Sequence, residues 1–299
     1  MNMQAPLAHH TARLIGLQPP PASLDWLCAA GDGRFEVRLT RRPEDIRAAQ
    51  RLRFQVFYEE MAAQPSAENA RLQLDFDQFD TLCDHLMVFD RSLPGPDQAV
   101  GTYRLLRRDI AESHGGFYSA SEFDISPMLR AVGPHNSNLG GGLLELGRSC
   151  VHRNYRGNAI IQLLWRGIST YIDDHRFEFM FGCASFAGTD PQQHAVALSY
   201  LYHHHLPPPD IRVRALPHRH VPMNMLPADQ VSQRAAIHAL PPLIKAYLRL
   251  GAYIGEGAVV DEQFGTTDVF ILLPVASIAA RYQNRFSQAD GLIHGEGHA

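Results

Sequence analysis

Along residues 35–40 the apolar side chains of Phe35, Val37 and Leu39 alternate with Glu36, Arg38 and Thr40, a period of two that predicts a half-buried β-strand. The period then changes. Pro43, Glu44 and Asp45 make a favourable first helical turn, because proline's missing N–H is not needed there and acids suit the positive end of the helix dipole. That helix is expected to run to about Met61. Further strands are predicted near His85–Asp90, Ala99–Arg107, Leu143–Val151, Phe177–Phe186, Ile211–Leu216 and Thr267–Val275, and helices at Ala159–Asp174, Pro191–His204 and Pro242–Leu250. Strands that alternate with helices yet include hairpin-like neighbours imply an α/β sandwich around one central, mixed, mostly antiparallel sheet.

No Pro/Gly/Ser-rich linker separates two cores and no internal repeat is evident, so a single domain is expected over residues 34–286. Residues 1–33, which include Pro19, Pro20 and Pro21, and residues 287–299 read as tails. A composition of 45% hydrophobic and 19% charged residues in 299 is that of an ordinary globular protein. The net charge of −4 supplies no basic field, which argues against a nucleic-acid partner. Lys245 is the single lysine beside 26 arginines, a skew that reads first as the codon usage of a GC-rich genome. The four cysteines, Cys28, Cys83, Cys150 and Cys183, form no C-x-x-C pair, so neither a zinc site nor a disulfide framework is expected, and reduced thiols fit a cytoplasmic location. No apolar run reaches the roughly 20 residues needed to cross a bilayer and no secretory signal opens the chain, so any membrane contact is expected to be peripheral. Pro242–Leu250 sets Leu243, Ile244, Tyr247, Leu248 and Leu250 against Lys245 and Arg249; it reads first as a core-packing helix and second as a surface for membrane.

The candidate chemistry lies in charges set among apolar neighbours. On the first helix Arg53 falls inside the stripe of Ile46, Ala49, Val56 and Phe57. A buried guanidinium there demands a carboxylate or an anionic ligand, unless its head snorkels to water. Asp75, Asp77 and Asp80 interleave with Phe76 and Phe79, as partners for such a charge or as solvated and capping acids. Arg104 shares a strand face with Val100, Thr102 and Leu106. In Glu145-Leu146-Gly147-Arg148, strict alternation would put Glu145 and Arg148 on opposite faces, and a bulge at Gly147 would bring both toward one site. These groups read as one buried charge network, structural or catalytic. Downstream, Arg153, Arg156 and Gly157 lie in a turn between a strand and a helix N-terminus, a shape that offers backbone N–H groups to a pyrophosphate. Cys150 and Cys183 read as inert core thiols. The H-x4-D pairs His85/Asp90 and His205/Asp210 carry little weight, since about one such match is expected by chance, and His203, His204, His205, His218 and His220 lack the acids of a ligand set, so no metal is expected.

Arg53-Phe54-Gln55-Val56-Phe57, Asp77-Gln78-Phe79-Asp80, Arg104 and Glu145-Leu146-Gly147-Arg148 occur in the order and at the spacing that resemble the GCN5-related N-acyltransferase (GNAT) superfamily, and within it the acyl-homoserine-lactone synthases. Gly182–Pro191, Arg214–Arg219, Leu240–Ala252 and Phe264–Val269 are in turn similar to the bacterial L-ornithine N-alpha-acyltransferases, over about residues 34–286. The resemblance implies a GNAT-like sandwich that moves a 3-hydroxy fatty acyl group from acyl carrier protein to the α-amine of L-ornithine, the first step of ornithine-lipid synthesis. Another amine acceptor, as in acyl-homoserine-lactone or N-acyl amino acid synthases, is the alternative, and a non-catalytic carrier-binding sensor is a rival of another class. Ala159 and Ile161 stand where the superfamily's turn carries small residues, and side chains there crowd a pyrophosphate; a donor presenting only phosphopantetheine needs less of that cradle than coenzyme A. No cofactor is therefore expected beyond the phosphopantetheine arm delivered by acyl carrier protein. Glu145 is the expected general base, or else an ion-pair partner of Arg53 or Arg104. Arg53, Arg104 and Arg148 belong to the expected catalytic group, Phe57, Asp77, Asp80 and Gly147 to substrate binding, and Arg153, Arg156 and Gly157 to the carrier and its arm. The strands Leu143–Val151 and Phe177–Phe186 would line the acyl chain. The expected location is the cytoplasm, with peripheral contact at the inner membrane as an option.

Overall fold

The computed structural model describes residues 27–278 apart from 31–32, 96–97, 134–141 and 176. Its elements are β1 (Leu27–Ala30), β2 (Phe35–Thr40), α1 (Pro43–Phe54), β3 (Asp84–Asp90), β4 (Ala99–Arg107), β5 (Phe123–Asp124), β6 (Leu143–Val151), α2 (Asn158–His175), β7 (Phe179–Ala187), α3 (Ala195–His205), β8 (Arg214–Ala215), α4 (Pro242–Arg249), β9 (Tyr253–Ile254), β10 (Val259–Asp261) and β11 (Thr266–Pro274), joined by shorter helical turns. Nine of the described strands form one sheet in the order β1-β2-β3-β4-β6-β7-β11-β10, with β9 beside β11, while β5 and β8 pair separately. Among these pairs only β6 and β7 run parallel, so the sheet is mixed and mostly antiparallel, as its hairpin-like neighbours suggested.

The strands are buried on both faces. On one side α2 lays Ile160, Leu164, Ile168 and Tyr171 against the sheet at helical spacing, each at most 2% exposed. Burying one such aliphatic side chain contributes roughly 1.5–3 kcal/mol. The approach is close, since a Cβ on Gly101 of β4 would stand 2.8 Å from Ile160 Cγ2. On the other side Ala48, Ala49 and Leu52 of α1 pack with Met87, Phe89 and Ala99. The half-buried alternation expected of β2 is corrected accordingly. Glu36 is buried, and it survives there because Arg38 and Arg91 both bind its carboxylate.

Three other expectations also change. Leu27–Ala30, assigned to a tail, pair with β2, a short edge strand whose period is too brief to read; residues 1–26 and 279–299 lie outside the described residues. The strand expected at Ile211–Leu216 shrinks to Arg214–Ala215, because Pro207, Pro208 and Pro209 cannot donate to a ladder and lead into a 3-10 turn at Pro209–Ile211. The first helix does continue to Glu60, but as a π-helical turn over Gln55–Glu60, closed by Met61 N donating to Val56 O at 3.0 Å. Such turns concentrate at functional sites.

Candidate active site

Arg53 leaves the inner face of α1 fully buried, and the loop that follows supplies its partners. Its Nε donates to Asp75 Oδ2 at 2.7 Å, and its Nη2 to Asp80 Oδ1 at 2.8 Å and to the Asp75 carbonyl at 2.6 Å. Snorkelling is excluded. Arg104 Nη1 donates to Asp77 Oδ1 at 2.6 Å, and Arg148 stands 3.4 Å from both Asp75 and Asp77. Tyr58 and Gln50 satisfy remaining oxygens of Asp75 and Asp80. Asp77 and Asp80 also cap the 3-10 turn Gln78–Thr81 reciprocally, which fixes the loop. Burial alone would raise the Asp75 and Asp80 carboxyls, but the guanidinium charges overcome it and hold both below the usual range. Three arginines and three aspartates thus balance in charge, while Arg53 Nη1, Arg104 Nε and Arg148 Nε are left without a hydrogen-bond partner among the described residues. Arg53, Asp75, Asp77 and Asp80 do not line the neighbouring cavity, so Arg53 is placed as an anchor away from the reacting space, and the aspartates face arginines instead of an acceptor.

That cavity, of about 480 Å³, opens where β6 and β7 part. Their parallel pairing ends at Glu145 opposite Phe181. Immediately beyond, Gly182 lets β7 pass so near β6 that a Cβ there would sit 2.2 Å from Leu146 O. The bulge in β6 is real but displaced. Gly147 pairs with Arg104 and Cys150 with Thr102, so the extra residue lies between them, and Arg148 carries the left-handed backbone at φ 48. Gly147 itself needs no special conformation. The strain at Arg148 is held by its surroundings, since its guanidinium sits 5.1 Å from the Tyr118 ring centroid and 4.6 Å from that of Phe264. Phe57, brought round by the π turn, Arg104, Glu145, Gly147 and Arg148 all line the cavity.

Glu145, 4% exposed, contacts no arginine in an ion pair, which corrects one of its two expected roles. Its carboxylate accepts from Ser119 Oγ at 2.5 Å, Ser119 N at 2.7 Å and Tyr118 N at 2.9 Å. Burial raises its pKa, the bonds from Ser119 and Tyr118 oppose that, and the balance is upward. A hydrogen-bonded carboxylate with raised basicity beside an apolar cleft can hold or take a proton. Tyr118 and Ser119 were not expected from sequence, because the Phe117–Glu122 stretch carries no period and no motif.

Arg153, Arg156 and Gly157 lie exposed on the turn before α2. Arg156 reaches the cavity edge and is bound in fork geometry by Glu60 at 2.5 and 2.8 Å, so its charge is partly matched. The Ala159 side chain is exposed at the helix start, as is Ile161. Burial pushes the Cys83 and Cys150 thiols up to about 12 and the Cys183 thiol upward as well, leaving none as a ready thiolate. His85 is lowered to about 4 by burial and meets the Asp80 carbonyl, whereas Asp90 binds Arg34 and Tyr155. Among the described residues no group of three or more His, Cys, Asp or Glu could hold a metal ion. Also among them, no helix is long and apolar enough to cross a membrane. In α4, Ile244 and Tyr247 are buried in the core, and Leu243 is exposed at the cavity rim.

A mixed sheet whose central parallel strands part over a buried carboxylate, with a helix starting beside the gap, defines an N-acyltransferase of the GNAT class. Residues 52–166 match the acetyltransferase (GNAT) domain. The chain belongs, more narrowly, to the L-ornithine N(alpha)-acyltransferase family. It is 51% identical over 252 residues to the L-ornithine N(alpha)-acyltransferase of Brucella abortus, covering 84% of this chain and 88% of that one. The enzymes of the same name from Agrobacterium fabrum and Rhodobacter capsulatus are 48% and 42% identical, covering 88% and 87% of this chain and 88% and 97% of theirs.

Proposed function

We propose that this protein transfers a 3-hydroxy fatty acyl group from the phosphopantetheine arm of acyl carrier protein to the α-amine of L-ornithine, forming lyso-ornithine lipid. The observation that carries the chemistry is Glu145, buried at the parting of β6 and β7 with no arginine in ion contact. The relatives' names supply the acceptor.

A thioester is already activated, so the reaction needs a neutral amine held close to the carbonyl and donors for the developing oxyanion. Glu145 takes the proton from the attacking ammonium, directly or through water. Its raised pKa suits that task near neutral pH. The interrupted ladder around Arg148 and Ser149, opposite Tyr103, supplies backbone donors to the oxyanion. Arg148, whose carboxylate contacts are all at 3.4 Å, has capacity left for the acceptor's α-carboxylate. The arm enters between the splayed strands past the turn at Arg156, next to Gly157, and the acyl chain lies against Val56, Phe57 and Leu243. Exposed Arg153 and Arg156 meet the acidic carrier. The exposed side chains of Ala159 and Ile161 leave less room for the pyrophosphate of coenzyme A. The enzyme acts in the cytoplasm, and its lipidic product leaves past the α4 rim, where peripheral contact with the inner membrane would receive it.

Purified protein incubated with 3-hydroxyacyl carrier protein and ornithine should yield the α-N-acyl amide by mass spectrometry, at a higher kcat/KM than with the matching acyl-CoA. Absence of an ornithine amide, with acylation of another amine, overturns the acceptor; equal use of acyl-CoA overturns the donor.

A further inference from the structure

Beyond Cys183 lies a second set of acids that the chemistry above does not use. Glu122, 5% exposed, places Oε2 3.6 Å from Cys183 Sγ. Ser119 Oγ lies at the same distance from that sulfur and also holds Glu145, so Glu122 is three contacts from the proposed base, through Cys183 and Ser119. Asp268 of β11 is 7% exposed and stands in register with Ser185 of β7. Its Oδ1 is buried with no hydrogen-bond partner among the described residues, as is the neighbouring Thr266 Oγ1. Ser185, Thr266 and Cys183 line the main cavity, and Asp268 lies next to them in the sheet, opposite Ser185 and two residues from Thr266. Glu122 also borders an open cavity of about 580 Å³ that shares Tyr118 with the first and carries Asp261 and Glu262.

The charges here do not balance. Glu122, Asp268, Asp261 and Glu262 have one arginine in ion contact, Arg219, at 3.1 Å from Glu122 Oε1, while the charge of Arg148 also acts on Asp268. Burial and the repulsion of Asp268 push Glu122 up to about 7, with Arg219 opposing, and burial raises Asp268 against the hydroxyls of Ser185 and Thr266 and the charge of Arg148. Buried carboxylates left so take up either a proton or a cation. The acceptor atoms, Glu122 Oε2, Asp268 Oδ1 and Thr266 Oγ1, suit a compact ammonium with three donors better than a planar guanidinium.

We infer that Glu122 and Asp268 form the subsite for the side-chain ammonium of a diamino-acid acceptor, which then lies with its α-amine toward Glu145. The inference rests on the acceptor being ornithine, as proposed above. Thr266 completes the subsite, and Tyr118 divides it from the path of the acyl donor.

Glu122→Gln and Asp268→Asn, singly and together, are assayed with ornithine and with norvaline, which has the same carbon chain without the terminal amine. Each variant is expected to raise the KM for ornithine at least about tenfold, the scale of one hydrogen bond to a charged group. The kcat/KM ratio of ornithine over norvaline should fall by a similar factor. An unchanged ratio, or parallel loss on both acceptors in protein whose thermal unfolding is native, overturns the subsite. Wild-type enzyme that uses norvaline as well as ornithine overturns it too. Failure of the ornithine reading itself would show in the wild type, as no ornithine amide at all, before any variant is compared.

Discussion

The aspartates around Arg53 and the acids around Cys183 are buried to similar degrees, yet their charges are handled in opposite ways. Asp75, Asp77 and Asp80 meet Arg53, Arg104 and Arg148, and the carboxyl groups of Asp75 and Asp80 are held below their ordinary range. Glu145, Glu122 and Asp268 meet hydroxyls, a thiol and backbone N–H groups with a single ion contact, from Arg219 to Glu122, and all three are held above it. The first arrangement matches every carboxylate with a guanidinium, leaving only donors on Arg53, Arg104 and Arg148 over, and shapes one wall of the cavity. The second is incomplete, and incompleteness beside a cavity is what a proton-transfer and cation-binding site requires. Arg104 and Arg148 join the two, since they belong to the matched cluster and also face the cavity.

The largest effect should come from unbalancing the matched cluster. Asp80→Ala leaves Arg53 buried with one carboxylate partner and is expected to cost about 3–5 kcal/mol of stability in denaturant unfolding; a loss below about 1 kcal/mol would show that the cluster is not closed. Next, Glu145→Gln should lower kcat about a hundredfold with little change in unfolding, because it removes a proton acceptor and no ion pair. In the wild type kcat/KM should fall as pH drops through a value above the usual carboxylate range, and that limb should vanish in the variant. An acid limb that persists in Glu145→Gln assigns the base elsewhere. Stability responds with opposite signs in the two regions. Carboxyls lowered by folding stabilise above their unfolded pKa and lose that contribution as pH falls through the folded value, whereas raised carboxyls cost stability as pH rises from the unfolded value toward the folded one. The smallest effect is at the surface: Arg153→Glu with Arg156→Glu should raise the KM for the carrier-bound donor about tenfold, more at low salt. Unchanged carrier affinity removes that patch, and Arg156 alone should matter less because Glu60 already matches it.

Arg53 was legible because a charge inside an apolar stripe is a local contradiction, and its partners lie 22 and 27 positions away on the next loop. Glu145 was legible as a candidate through the motif around Gly147, but its clamp was not, since Tyr118 and Ser119 carry no pattern. Asp268 looked like one residue of an apolar strand. The bulge shows the same limit: Gly147 is the local signal, while Arg148 takes the left-handed backbone because Tyr118, Phe264 and the aspartates hold its side chain.

By itself the sequence determined the long elements, α1, β4, β6 and α2, because period and end signals are properties of neighbouring residues, and it determined that buried arginines require partners. Only the tertiary structure decided which acids were matched and which were left over. That outcome depends on distance and desolvation among groups as far apart in the chain as Glu122 and Arg219, 97 positions, and no local pattern records it.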